Sequence, residues 1–228
     1  MGDTRRRQGI VHILIGILVF GSIWGFFEAT LGGYLHMILF PNKGAIMSGI
    51  GVAIMGSALA IYKRPIMLLG IGIVAASFKL LNVWLLFVPI TSIHITNPAM
   101  AIIFESLAFS LVAAFLMNKI TKSALAGVGA GVLAGFVGAI AWVYFAIYVL
   151  DAPSYARVVF TAGEFIANQG VVQAIFSGVF FPLGFLAGNR LAITTSSVAI
   201  RRPLYYTASV VVICFCWGIS SVATMAGL

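Results

Sequence analysis

Apolar positions in this chain come in long unbroken runs, the first being GIVHILIGILVFGSIWGFF at residues 9–27. A barrel strand would alternate apolar and polar residues, and the helix of a soluble domain would keep a polar stripe. Neither pattern is present. Hydrocarbon leaves helices or a closed barrel as the only spanning structures, because every backbone N–H and C=O needs a partner inside the protein. A helical span needs about 20 predominantly apolar residues. Segments of that kind are predicted near Ile10–Tyr34, Ala45–Tyr62, Ile66–Ile90, Ala99–Met117, Ala124–Leu150, Phe160–Leu186 and Leu204–Ala226. The expectation is an all-α polytopic bundle forming a single transmembrane domain over residues 1–228. It has a six-helix core at about 10–190 and an additional C-terminal span at about 204–226.

Composition agrees with that pattern: 62% of residues are hydrophobic, 8% are charged, and mean hydropathy is +1.14. A soluble domain is about a quarter charged. The net charge of +8 would suggest nucleic acid if the basic residues formed an exposed stripe, but they sit in short connectors. Their distribution instead sets orientation. With the N-terminus in the cytoplasm, the inner segments hold Arg5, Arg6, Arg7, Lys63, Arg64, Lys119, Lys122, Arg190, Arg201 and Arg202. The outer segments hold only Lys43 and Arg157. This positive-inside bias predicts a multi-pass cell-membrane protein with a cytoplasmic N-terminus. The first apolar run is too long for a signal-peptide core and no A-x-A site follows it, so it is expected to remain as a span. Cys214 and Cys216, the only two cysteines, exclude a disulfide framework and are expected to pack in the core.

Removing the connectors leaves Glu28, Lys79, Glu105 and Glu164 within the spans. An ionisable side chain at membrane depth costs about 2.5–3.5 kcal/mol on insertion scales, so a functional reading is the default. Glu28 shares a helical face with Gly21, Gly25 and Gly32, and Lys79 shares one with Asn82. Glu164 opens a polar stretch that continues through Asn168, Gln169 and Gln173. In the predicted orientation these groups gather in the outer half, and the cytoplasmic half offers no comparable cluster. Glu28, Lys79, Asn82, Glu105, Glu164 and Asn168 are therefore expected to line an outward-opening pocket, with His36, Asn42, His94 and Asn97 at its lid. Three glutamates against one lysine favour a cationic or zwitterionic solute. His36, His94 and Glu28 leave a divalent metal as an alternative. The sequence leaves any cofactor unknown. There is no G-x-x-x-x-G-K-[ST] loop, no G-x-S-x-G, no H-E-x-x-H and no Schiff-base lysine in the last helix, so catalysis is not expected.

The long first helix, the loop LHMILFPNKGAIMS after it, and the outward polar residues of the third, fourth and sixth helices resemble the substrate-binding subunits of energy-coupling factor transporters. The resemblance covers about residues 10–190. It departs in the seventh helix and in lacking an alanine-spaced coupling patch on the first. It implies capture of a vitamin-like solute or metal ion from outside, closure of the Pro41–Gly44 loop and of Ile93–Pro98, and uptake driven by a transmembrane coupling subunit with ATPases. Two alternatives stand beside it: a non-transporting anchor or assembly subunit, and a self-sufficient proton-coupled carrier.

Overall fold

The computed structural model describes residues 2–150, 162–198 and 202–227, and the side chains of 10–150, 162–192 and 203–227. Arg157, one of the two expected outer charges, and the expected start of the sixth helix at Phe160 lie outside the described residues. The described elements are all helical. Seven helices are long and apolar enough to cross a bilayer: Ile10–Met37, Lys43–Tyr62, Met67–Leu86, Ile93–Ile120, Ala124–Tyr148, Ala162–Ala192 and Pro203–Met225. This is a multi-pass membrane protein.

Four spans depart from the regular helices expected of them. The first is interrupted at Thr30 (φ −92°, ψ −70°), whose amide and hydroxyl both donate to the Phe26 carbonyl, at 2.9 and 2.7 Å, and resumes as Leu31–Met37. The third divides into Met67–Ser77 and Leu80–Leu86; at the join the Phe78 and Lys79 amides reach back three residues, to Ala75 and Ala76, and not four. The fourth begins at Ile93, earlier than the expected Ala99, because Pro98 sits inside it. Pro98, sixth in this helix, lacks the amide that would have bonded the His94 carbonyl, and its ring crowds that carbonyl. The stretch expected to be a closing loop at Ile93–Pro98 is thus the first turns of a helix. The sixth span runs from Ala162–Phe165 through a π turn at Ile166–Gly170 into Val171–Val198.

Small residues set the packing, as membrane helices require when no hydrophobic force draws them together. Gly21 faces Val74 and the Ile71 carbonyl, and Gly25 faces the Phe78 ring, so the first span lies closely against the third. The second and sixth spans meet where Gly184 faces the Ala53 backbone and Gly188 faces Ser57, whose hydroxyl donates to the Gly184 carbonyl at 2.9 Å. On the fifth span Gly131 and Gly135 face Ser177 of the sixth, and Gly138 faces the Glu105 backbone of the fourth. Trp24, Val52, Met55, Leu59, Leu68, Ile71, Phe109 and Phe181 fill the centre.

The seventh span packs on the first and third. Trp217 Nε1 donates to Ser22 Oγ at 3.2 Å, and the indole centroid lies 4.1 Å from that of Phe78. Cys216 is buried beside Phe78 and Leu81 as expected of a core cysteine, but Cys214 is exposed on the outer surface of its helix, correcting the expectation that both pack inside. At the bundle end away from the third-span break, His12 stacks within 5.1 Å of Tyr62 and 5.0 Å of Tyr205, whose hydroxyls lie 3.2 Å apart. Nearby, Lys63 adopts φ 54° at the end of the second span and donates to Asn189 Oδ1 at 3.2 Å. Partial burial pulls its pKa below the ordinary lysine value. This end therefore carries a polar cluster of its own, which sequence reading did not anticipate.

Candidate functional site

A cavity of about 810 Å³ opens at one end of the bundle. The first span lines it with its C-terminal part from Glu28 to Met37, the third with Phe78, Lys79 and Asn82, the fifth with Gly138 to Trp142, and the seventh with Thr224. The even spans contribute their N-terminal parts: Lys43 to Ser48 from the second, His94 to Glu105 from the fourth, and Phe165, Gln169 and Gln173 from the sixth. C-terminal ends of odd spans meeting N-terminal ends of even ones is what a single face of an up-and-down bundle presents. The charges expected in the outer half are thus brought to one end.

The glycine seam explains how Glu28 meets Lys79. Gly21 on Val74 and Gly25 on Phe78 bring the two helices together, and just beyond these contacts lie Glu28, three residues after Gly25, and Lys79, the residue after Phe78. Their Oε2 and Nζ atoms are 3.3 Å apart, with the side chains 13% and 15% exposed. The ammonium also points at the Glu28 carbonyl, 3.4 Å away. The tightened backbone at Phe78–Lys79 is where the third span turns this lysine onto the first.

Glu105 lies deeper. It is 5% exposed, and Ser48 Oγ of the second span donates to its Oε1. Gly138 leaves the room that lets the fifth span press on the Glu105 backbone. At the exposed rim Lys43 Nζ lies 2.8 Å from His36 Nδ1, which accepts from it. Trp142 and Phe165, with ring centroids 5.0 Å apart, form an apolar wall, and Asn82, Asn97, Gln169 and Gln173 supply amides.

Of the expected pocket residues, Glu28, Lys79, Asn82 and Glu105 line the cavity, while Glu164 and Asn168 are exposed and do not. The polar stretch of the sixth span has two faces. Phe165, Gln169 and Gln173 repeat every four residues toward the cavity, and Glu164 and Asn168 repeat every four on another side. Of the expected lid residues, His36, His94 and Asn97 line the cavity; Asn42 is exposed in the turn before the second span at φ 55° and does not. Ser48, Lys43, Gln169, Gln173, Trp142 and Thr224 are lining residues that sequence reading left out of the site. The four-residue spacing of Phe165, Gln169 and Gln173 could have revealed the sixth-span pair.

These placements alter the charge balance. Among the described residues the cavity is lined by Glu28 and Glu105 against Lys43 and Lys79, two of each sign, in place of the expected three glutamates to one lysine. Among the described residues no three His, Cys, Asp or Glu side chains come together as a metal site requires, so His36, His94 and Glu28 do not form one. The Lys43 ammonium beside His36 also opposes a cation there. Comparison with protein-family models, with curated proteins and with solved structures finds no match to this chain.

Proposed function

We propose that this protein is a membrane transport subunit that captures a small polar solute in the cavity, which faces the cell exterior, and that separate partner subunits drive uptake. One observation carries the reading. Carboxylates and ammonium groups from four different spans, Glu28, Lys43, Lys79 and Glu105, converge on one roomy cavity with amide and aromatic groups between them. Cavities of a few hundred to about 1,000 Å³ with a few placed polar groups are the usual form of small-molecule sites. The basic residues support the outward placement: Lys63, Arg64 and Lys122 in connectors, and Lys119 in the last turn of the fourth span, all lie at the end away from the cavity. The balanced charge moves the solute from a simple cation toward a zwitterionic or neutral polar molecule. The resemblance to substrate-binding subunits of energy-coupling factor transporters supports partner-driven uptake, with a transmembrane coupling subunit and ATPases as the partners. No catalytic step is part of this function.

Native mass spectrometry of gently purified protein tests it. A small solute should co-purify with the wild type and be lost from Glu105→Gln at unchanged expression. Retention of the solute by Glu105→Gln and Lys79→Met alike would overturn capture in this cavity. The second reading, a non-transporting assembly subunit, is favoured by the pairing of Glu28 with Lys79, a role any structural ion pair could fill. It expects Glu28→Gln to disrupt a larger complex with no solute found in either protein.

A further inference from the structure

Among the described residues, two charges in the cavity have no partner of opposite sign. Glu28 and Lys79 answer each other, but among the described residues Glu105 has only the Ser48 hydroxyl and Lys43 only the His36 ring nitrogen. A carboxylate that is 5% exposed inside a membrane bundle needs a proton or a cation to offset the loss of water. Lys43 sits at the rim, where an anion would be held by its ammonium. The two sites are fixed relative to each other by one helix, since Lys43 and Ser48 are five positions apart on the second span and Ser48 holds Glu105. Five residues of α-helix rise about 7.5 Å.

We infer that the cavity takes an elongated zwitterion, its ammonium bound by Glu105 at the floor and its anionic group bound by Lys43 and His36 at the rim. This rests on the solute-capture reading and specifies its ligand. A cation alone would satisfy Glu105 and leave Lys43 unanswered, and an anion alone would do the reverse. An α-amino acid carries both charges at one end and cannot reach both groups through its backbone. A chain of several carbons between the charges can, and Trp142 and Phe165 offer the apolar wall such a middle section needs. Lys79 does not compete for the anionic end because Glu28 already holds it.

The experiment measures binding to the purified full chain in nanodiscs with four probes: ε-aminocaproate, free glycine, caproate and hexylamine. Thermal unfolding and competition against any co-purified solute serve as readouts. ε-Aminocaproate is expected to bind at least tenfold more tightly than the other three. Glu105→Gln, which keeps the side-chain shape, should weaken it by roughly tenfold to a hundredfold, the weight of a charge-assisted hydrogen bond. Lys43→Gln, at the exposed rim and of no consequence for the core, should bring ε-aminocaproate down to the affinity of hexylamine. Equal binding of hexylamine or caproate to the wild type, or no effect of either substitution, overturns the inference. So does failure of all four probes to bind. A co-purified solute that lacks either an amine or an acid overturns this inference and leaves capture standing, whereas no solute and no probe binding together overturn both.

Discussion

Removing one partner of the Glu28–Lys79 pair should cost far more than removing both. At 3.3 Å and an effective dielectric near 20, their Coulomb attraction is about 5 kcal/mol. Most of it is offset by the several kcal/mol that each ion loses on leaving water, so the intact pair is close to neutral for stability. Glu28→Gln removes the attraction and leaves an ammonium 15% exposed with only neutral acceptors, the glutamine amide oxygen and the backbone carbonyl of residue 28. The expected loss is about 3 kcal/mol, in the range found when one member of a buried pair is removed. Lys79→Met strands the carboxylate and should cost about as much. The double variant strands nothing, and a net loss of about 1 kcal/mol is expected, which makes the coupling energy about 5 kcal/mol. Reversible unfolding in mixed micelles of rising dodecyl sulfate content, followed by tryptophan fluorescence, measures all four corners of the cycle. If the two single losses add to the double loss within about 0.5 kcal/mol, the residues do not interact and the pairing is wrong.

Other outcomes follow from the same structure. Gly184→Ala would place a methyl group against the Ala53 backbone at the seam of the second and sixth spans, and a loss of about 1–3 kcal/mol is expected in the same unfolding assay. Gly129→Ala meets nothing within 4 Å and should be neutral or stabilising by up to about 1 kcal/mol through helix propensity; a large loss there would contradict the packing. Gln169→Ala should weaken solute binding and Asn168→Ala should leave it unchanged, so titration of the two variants with co-purified solute reports which face of the sixth span is used. With Cys214 and Cys216 replaced by alanine, single cysteines at Asn42 and Pro89 should react with an impermeant maleimide added to intact cells. A cysteine at Lys122 should react only after the membrane is opened, and the reverse pattern would invert the orientation.

The seven spans were legible because lipid-facing helices need only length and apolarity, and no competing element uses such runs. The first-to-third helix contact was half legible: Gly21, Gly25 and Glu28 fall on one face by spacing alone, but nothing in the sequence says that Val74, Phe78 and Lys79 meet that face. Lys43 reads as a connector charge because it borders Asn42 and Gly44, yet it is the first residue of the second span and lines the cavity. Ser48 escaped notice for a different reason. A serine within an apolar helix usually bonds its own backbone, and only the packing of the second span on the fourth turns its hydroxyl to Glu105. The sixth-span error came from treating four neighbouring polar residues as one patch when helical rotation divides them into two.

The breaks in the spans and the cavity are one feature. Thr30, the join at Phe78–Lys79, Pro98 and the π turn at Ile166–Gly170 lie in the parts of the first, third, fourth and sixth spans that border the cavity. A backbone group freed from the helical ladder, as the His94 carbonyl is opposite Pro98, would have no partner facing lipid, so irregular backbone at membrane depth is tolerated where it lies against protein or a cavity. A cavity lined by polar groups meets that condition. The exchange is useful to a binding site. The tightened join aims Lys79 at Glu28, Pro98 leaves the His94 carbonyl without its usual amide, and the sixth span turns Gln169 and Gln173 inward. The assembly-subunit reading gives these interruptions no role, whereas the proposed solute capture does. A bundle that must present polar groups to a solute at membrane depth gains the means to do so.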